Sequence, residues 1–279
     1  MNGAGKSVHQ RGFVLLSIFL LVLLALGILA FTRLNSTSVR TAAQESEGRA
    51  SQSKIRDVLV AFVSSYGYLP CPADGAAATG AAVPAAASAT CTNPAGVVPW
   101  AALGLTAADA IDAYQNKISY RVYSGTTGLT QARGATLVDC DADRAPLPVP
   151  QQLGTEAGTG LCRLDHDTSK DQFLAGKGLT VNVSGSPVNG VAFVLVSHGR
   201  NGAGAFNSAG VQNALPDVAS AEYRQTQAPG PFVAGASNTV ELAPNAPAYF
   251  DDEVSYMTIV DLTNRAGTVA RNWPDPPAP

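Results

Sequence analysis

The 279-residue sequence predicts an α+β protein: one long N-terminal helix backing onto a head of antiparallel β-sheet. Three observations predict it. Residues 13–31 form an unbroken apolar run whose only polar member is Ser17. Further on, Ile55, Val58, Leu59, Phe62 and Val63 recur at the spacing of one helical face. Beyond residue 67 the chain is rich in Gly and Pro. It carries short β-prone runs between long turns, with too few helical patterns for a wound parallel sheet.

The elements follow in chain order. Residues 1–12 are a short polar leader with Lys6 and Arg11. The apolar run reaches about 28 Å at about 1.5 Å per residue, enough for the hydrocarbon core of a bilayer. Arg33 and Arg40 follow it, so the flanking charges are nearly even and do not orient the segment. A cleaved secretory signal would end in an A-x-A-like site, and Thr32-Arg33-Leu34-Asn35-Ser36 offers none. From there to Tyr66 the chain is polar but compatible with a helix. Lys54, Arg56 and Asp57 lie off its apolar face, and Gly67 with Pro70 beyond it marks the stop. The element 13–66 would span about 80 Å, with a membrane half and an amphipathic half. Gly27 and Gly48 are where it can bend. A membrane helix followed by a disordered linker over 35–53 is the alternative, because isolated polar helices are marginal.

In the head, residues 118–123, 136–139, 179–183, 191–197, 239–242 and 253–261 read as strands. The continuously apolar stretch 191–196 reads as a central strand, and the partly alternating 253–261 as a half-exposed one. Residues 75–90 are an Ala/Gly-rich loop, and residues 263–279 end in a Pro-rich tail with little to pack except Trp273.

Charged residues are only 14% of the chain and the net charge is −3, so no basic surface is available for nucleic acid. None of the four cysteines, Cys71, Cys91, Cys140 and Cys162, forms a C-x-x-C pair. Behind a membrane-targeting segment, an even count reads as disulfides formed in an oxidising compartment. Three pairings are possible. Cys71–Cys91 with Cys140–Cys162 is favoured, because each pair brackets a Gly/Ala/Pro-rich loop that lacks a core of its own. Closing a loop of roughly 20 residues contributes about 3 kcal/mol.

Several patterns invite a chemical reading and fall short of one. Gly5-Lys6-Ser7 has the ending of a P-loop, without the earlier Gly or a preceding strand. Ser197-His198 precedes a Gly-rich turn. A nucleophile elbow needs Gly where Leu195 stands, and adjacent residues on a strand face opposite ways. His9, His166 and His198 are too scattered for a zinc site. Asp139, Asp141 and Asp143 alternate and can converge on a hard cation such as calcium. An EF-hand counted from Asp139 would need Gly and Glu where Arg144 and Pro150 stand, so a solvated acidic turn is the plainer reading. Asp251-Asp252-Glu253 is expected to cap a strand and to touch the turn at 197–202. No catalytic residues are nominated, and the chain is not expected to be an enzyme.

The leader and run together, Arg11-Gly12-Phe13-Val14-Leu15-Leu16, resemble the prepilin processing site of type IV pilins and type II secretion pseudopilins. The resemblance implies cleavage by a prepilin peptidase after Gly12, methylation of the new N-terminus at Phe13, and a single-pass inner-membrane anchor with a periplasmic head. The family usually carries Glu at the fifth mature position; here that position is Ser17. Tip-type minor pseudopilins also lack this Glu, so the departure points away from a major fibre subunit. A second resemblance runs through the head. LPCPAD at 69–74, PWAALGL at 99–105, SHGRNG at 197–202 and FDD at 250–252 are similar, in order and spacing, to a group of prepilin-like proteins. Together they imply a pilin-like fold: leader 1–12, assembly helix 13–66, β-rich head 67–262 and tail 263–279. The implied partners are prepilin peptidase, other pilin or pseudopilin subunits and the inner membrane. The implied role is that of a minor pilin or pseudopilin of a type IV pilus or type II secretion system. A membrane-anchored periplasmic binding module that never enters a fibre is the alternative.

Overall fold

The computed structural model describes residues 7–125, 128–131, 176–235 and 249–267. The chain divides into two compact units, Met1–Ser46 and Glu47–Pro279. Helix α1 runs from Ser7 to Tyr66. In the first unit the described apolar side chains, among them Phe19, Leu21 and Leu24, are half exposed or more. Among the described residues no helix is long and apolar enough to cross a membrane. The side chains at both ends of the apolar run, 13–17 and 27–31, lie outside the described residues. So do those of the processing-site residues Gly12 and Phe13, and of Ser17. Cys140, Cys162, Asp139, Asp141 and Asp143, the expected strands 136–139 and 239–242, and Trp273 also lie outside them.

In the second unit the end of α1 packs on a five-stranded sheet. Its strands are β1 (Ser119–Val122), β2 (Leu179–Val183), β3 (Ser186–Ser197), β4 (Phe232–Ala234) and β5 (Glu253–Thr258). Ile55, Leu59 and Val63 are fully buried, on the face the spacing predicts. They join Tyr120, Phe193, Leu195 and Met257 in the main core. A second core on the other face of the sheet holds Val181, Val191, Val194, Val196 and Phe232. β3 is therefore covered on both sides, which is why its second half is continuously apolar. A register shift between Val191 and Phe193 lets Ala192 and Phe193 join the same core despite being neighbours.

β3 extends further back than the apolar run suggests. A two-residue turn at Ser184 and Gly185, both at positive φ, folds β2 onto it as a hairpin. Its first half pairs with β2, and its second half pairs with β1 and β5, all antiparallel.

The sheet is mixed, not antiparallel as the sequence suggests, because β4 lies parallel to β2. Between β3 and β4 the chain passes through the 197–202 turn and a short helix α2 (Ala221–Thr226), a crossover that reaches the free edge of β2. Gln225 clamps α2 to β4. Its Nε2 donates to the Val233 carbonyl at 2.6 Å, and its Oε1 accepts from the Val233 N–H at 3.3 Å. Neither α2 nor β4 is legible as a periodic pattern.

The last expected strand is also corrected. β5 stops at Thr258, whose hydroxyl accepts from the Asp261 N–H and caps helix α3 (Ile259–Ala266). Ile259 and Leu262 bury one face of that helix in the main core. At the other end of the head a disulfide joins Cys71 and Cys91, bracketing the Ala/Gly-rich loop. Lys54 of α1 pairs with Asp109 of a 3-10 turn (Ala107–Ala110) at 2.7 Å, and Arg49 pairs with Glu253.

Candidate functional site

β3 ends by carrying polar residues inward. Ser197, the last residue of β3, and His198 just beyond it are both buried and reach different partners. The Ser197 hydroxyl donates to Asp112 Oδ2 at 2.8 Å. His198 Nε2 lies 2.9 Å from the Ser119 hydroxyl on β1, and its Nδ1 lies 3.7 Å from Asp252 Oδ1. The order Ser119, His198, Asp252 is that of a hydrolase triad, but the geometry is not. The His–Asp separation exceeds a hydrogen bond. Ser119 sits within the sheet opposite Val196, 3% exposed, with no surface on which a carbonyl could land. Burial, and then the charge of Arg121, push the His198 imidazole down to about 3, so it is neutral at ordinary pH.

After Ser197 the chain turns sharply, and Asp251 holds the turn. Its Oδ2 accepts from the N–H groups of Arg200 (2.6 Å) and Asn201 (3.2 Å) and from the Tyr249 hydroxyl (2.8 Å). This is the contact expected between the 251–253 segment and the turn. Gly199 makes the approach possible. Its φ is +56°, and a Cβ there would lie 2.5 Å from Asp251 Oδ1.

Two further carboxylates converge on the same place. Glu222 comes from the first turn of α2, which Ser220 caps by accepting from the Tyr223 N–H. Both Glu222 oxygens accept from Asn201 Nδ2, at 3.1 and 2.9 Å. Asp252 enters from the start of β5, its side chain fully buried, and neither of its oxygens has a hydrogen-bond partner among the described residues. One oxygen from each of Glu222, Asp251 and Asp252 lies within 4.8 Å of the others. Asp112 stands nearby, its Oδ1 accepting from the N–H groups of Tyr114 and Asn116. Burial raises the Asp112 pKa. Burial also pushes Glu222 up to about 7, with the charge of Asp251 adding to it, and holds Asp252 well above the carboxylate range. Arg121, buried on β1, donates to the carbonyls of Gly96 (2.6 Å), Tyr120 (3.3 Å) and Gln225 (3.2 Å). Burial lowers its pKa to about 10.

A cavity of about 610 Å³ opens beside the cluster, with Arg200, Asn201, Asn213, Leu215, Asp217 and Glu222 in its wall. Glu222 thus lies between this cavity and the buried acids.

The structure gathers Asp251, Asp252 and the 197–202 turn, which the sequence singles out, with Glu222, Asp112, Ser119 and Tyr249, which it does not. Each of the latter is an isolated residue in an unremarkable segment. The sole local hint is the Ser220 cap that opens α2 ahead of Glu222. In comparisons with known proteins, no family model, no curated protein and no solved structure matches this chain.

Proposed function

We propose that this chain is a structural assembly subunit, a minor pilin or pseudopilin of a type IV pilus or type II secretion machine. In this reading a prepilin peptidase cuts after Gly12. Residues 13–31 then anchor the protein in the inner membrane, and the head stands in the periplasm. The observation that carries the reading is the joining of an Arg11-Gly12-Phe13 leader and its apolar run to a single helix, α1. The far end of that helix is cemented into a β-rich head by Ile55, Leu59 and Val63. A helix that is apolar and exposed at one end and docked on a globular head at the other is suited to lateral packing with copies of itself. The Cys71–Cys91 disulfide fits an oxidising compartment.

Ser17, standing where the family usually carries Glu, favours a tip position in this reading. A subunit inside a fibre would present a carboxylate to its neighbour's N-terminal amine, because unpaired charge is expensive in an apolar core. A tip subunit has no neighbour above it to neutralise. The Ser17 hydroxyl can bond back to its own helix, so the apolar segment tolerates it.

The test is maturation. Mass spectrometry of the membrane-extracted protein should show loss of residues 1–12, and Gly12→Ala should block that loss while leaving membrane insertion intact. An intact N-terminus in the wild type, or normal maturation of the variant, refutes the assignment. It would leave a membrane-anchored binding module, the reading that the cavity beside Glu222 favours. Immunogold label confined to fibre ends supports the tip position, and uniform label along fibres refutes it.

A further inference from the structure

We propose that Glu222, Asp251 and Asp252 bind a hard divalent cation of the calcium class, a site distinct from the Asp139, Asp141 and Asp143 turn. It is independent of whether the chain enters a fibre. The geometry comes first. One oxygen from each carboxylate lies within 4.8 Å of the others. Calcium holds oxygens at about 2.3–2.6 Å, so donors on opposite sides of its shell stand up to about 5 Å apart.

The second observation is independent of the clustering. Asp252 is fully buried, and among the described residues neither of its oxygens has a hydrogen-bond partner. Asp251 Oδ1 is likewise buried without one. A buried acceptor with no donor is costly, and a buried charge more so. The nearest nitrogen, His198 Nδ1, stands 3.7 Å from Asp252 Oδ1, beyond hydrogen-bond range. Arg121 Nη1 and Nη2 donate to three backbone carbonyls while its Nε has no partner among the described residues, and the Asn201 amide donates to Glu222. The charges acting on Asp252 are those of Glu222, Asp251 and Asp112, all of its own sign.

The surroundings are those of a ligating shell. The donors on Asp251 Oδ2 fix that carboxylate while leaving Oδ1 free, and Asn201 orients Glu222. The cavity walled by Glu222 and Asn201 brings one of the three acids to the edge of open space. A bound cation would tie together two segments distant in sequence, the start of α2 and the entrance to β5, and through Asp251 it would steady the turn after β3.

The experiment uses the full chain in detergent, stripped with EGTA and titrated with calcium chloride. Calorimetry should show one calcium per chain, with a calcium-dependent rise in Tm. Asp252→Asn should lose both responses. In EGTA it should melt at or above the wild-type temperature, since a neutral amide replaces an unpartnered buried acid. Should that variant fail to fold, Glu222→Gln is read in the same titration and should also lose the response. The combined Asp139→Asn, Asp141→Asn and Asp143→Asn variant should keep it. Absence of calcium-dependent heat and Tm change in the wild type overturns the proposal. So does a response that survives Asp252→Asn or Glu222→Gln, or one that disappears in the 139–143 variant.

Discussion

Replacing Leu59 by Ala tests the joint between helix and head. Leu59 is fully buried in α1, flanked on the same face by Ile55 and Val63, which are buried as completely. Opposite it the main core includes Phe193 and Leu195 on β3, a strand hydrogen-bonded along its second half to β1 on one side and β5 on the other. A strand held on both sides cannot move in to fill a void, so relaxation is limited. Leu→Ala in such sites costs about 2–5 kcal/mol, rising with the cavity left, and the rigid floor here argues for about 3–4. With an m-value of roughly 2–3 kcal/mol/M, the urea midpoint should fall by about 1–2 M. The assay is equilibrium unfolding of the full chain in detergent, followed by fluorescence of Trp100, which packs against this core. Leu59→Met, which conserves volume, should cost less than about 1.5 kcal/mol. A loss below about 1 kcal/mol for Leu59→Ala, at unchanged m, would show that the helix end is not clamped on the sheet and would refute the packing argument.

Two further outcomes are expected. Removing the Cys71–Cys91 bridge with paired Ala substitutions frees a loop closed across a separation of 20 residues, and should lower stability by about 3 kcal/mol. The check is a urea midpoint that dithiothreitol shifts in the wild type and leaves alone in the variant as regards this bridge. The second concerns acid. The Lys54 hydrogen bond, then the bonds from Thr106, hold the Asp109 carboxyl down at about 2. A group depressed in the folded state contributes stability that is complete above its unfolded pKa of 3.8 and is lost as pH falls towards 2. Lys54→Met should therefore flatten the acid limb of the Tm profile between those values, melting below the wild type above about pH 4 and converging on it as pH falls towards 2. A larger difference at pH 2 than at pH 5 would contradict the sign.

Assembly and cation binding draw on different parts of the chain. The leader and apolar run bear on assembly, through Gly12, Phe13 and Ser17. The acid cluster bears on how the head holds its turn, and both its partners and its cost come from tertiary packing. A subunit could lose its cation without losing its anchor, so the two readings fail separately.

Features that a local period or a local rule can express were legible in the sequence. The apolar face of 55–63 follows from helical spacing, and the depth of β3 from an unbroken apolar run. The extent of β2, Leu179–Val183, also matches its β-prone run. The Cys71–Cys91 bridge followed from a loop with nothing else to hold it. Tertiary structure alone decided the parallel pairing of β2 with β4, because a three-residue strand carries no period and its partner lies some 50 positions away. It ended β5 at Thr258, where a cap overrode β propensity. It also assembled the acid cluster. Glu222, Asp251 and Asp252 come from α2 and from the entrance to β5, and only the fold of the 197–202 turn around Asp251 brings them within reach of one another. Charge convergence of that kind has no signature in a linear sequence, since each acid alone reads as a solvated surface residue.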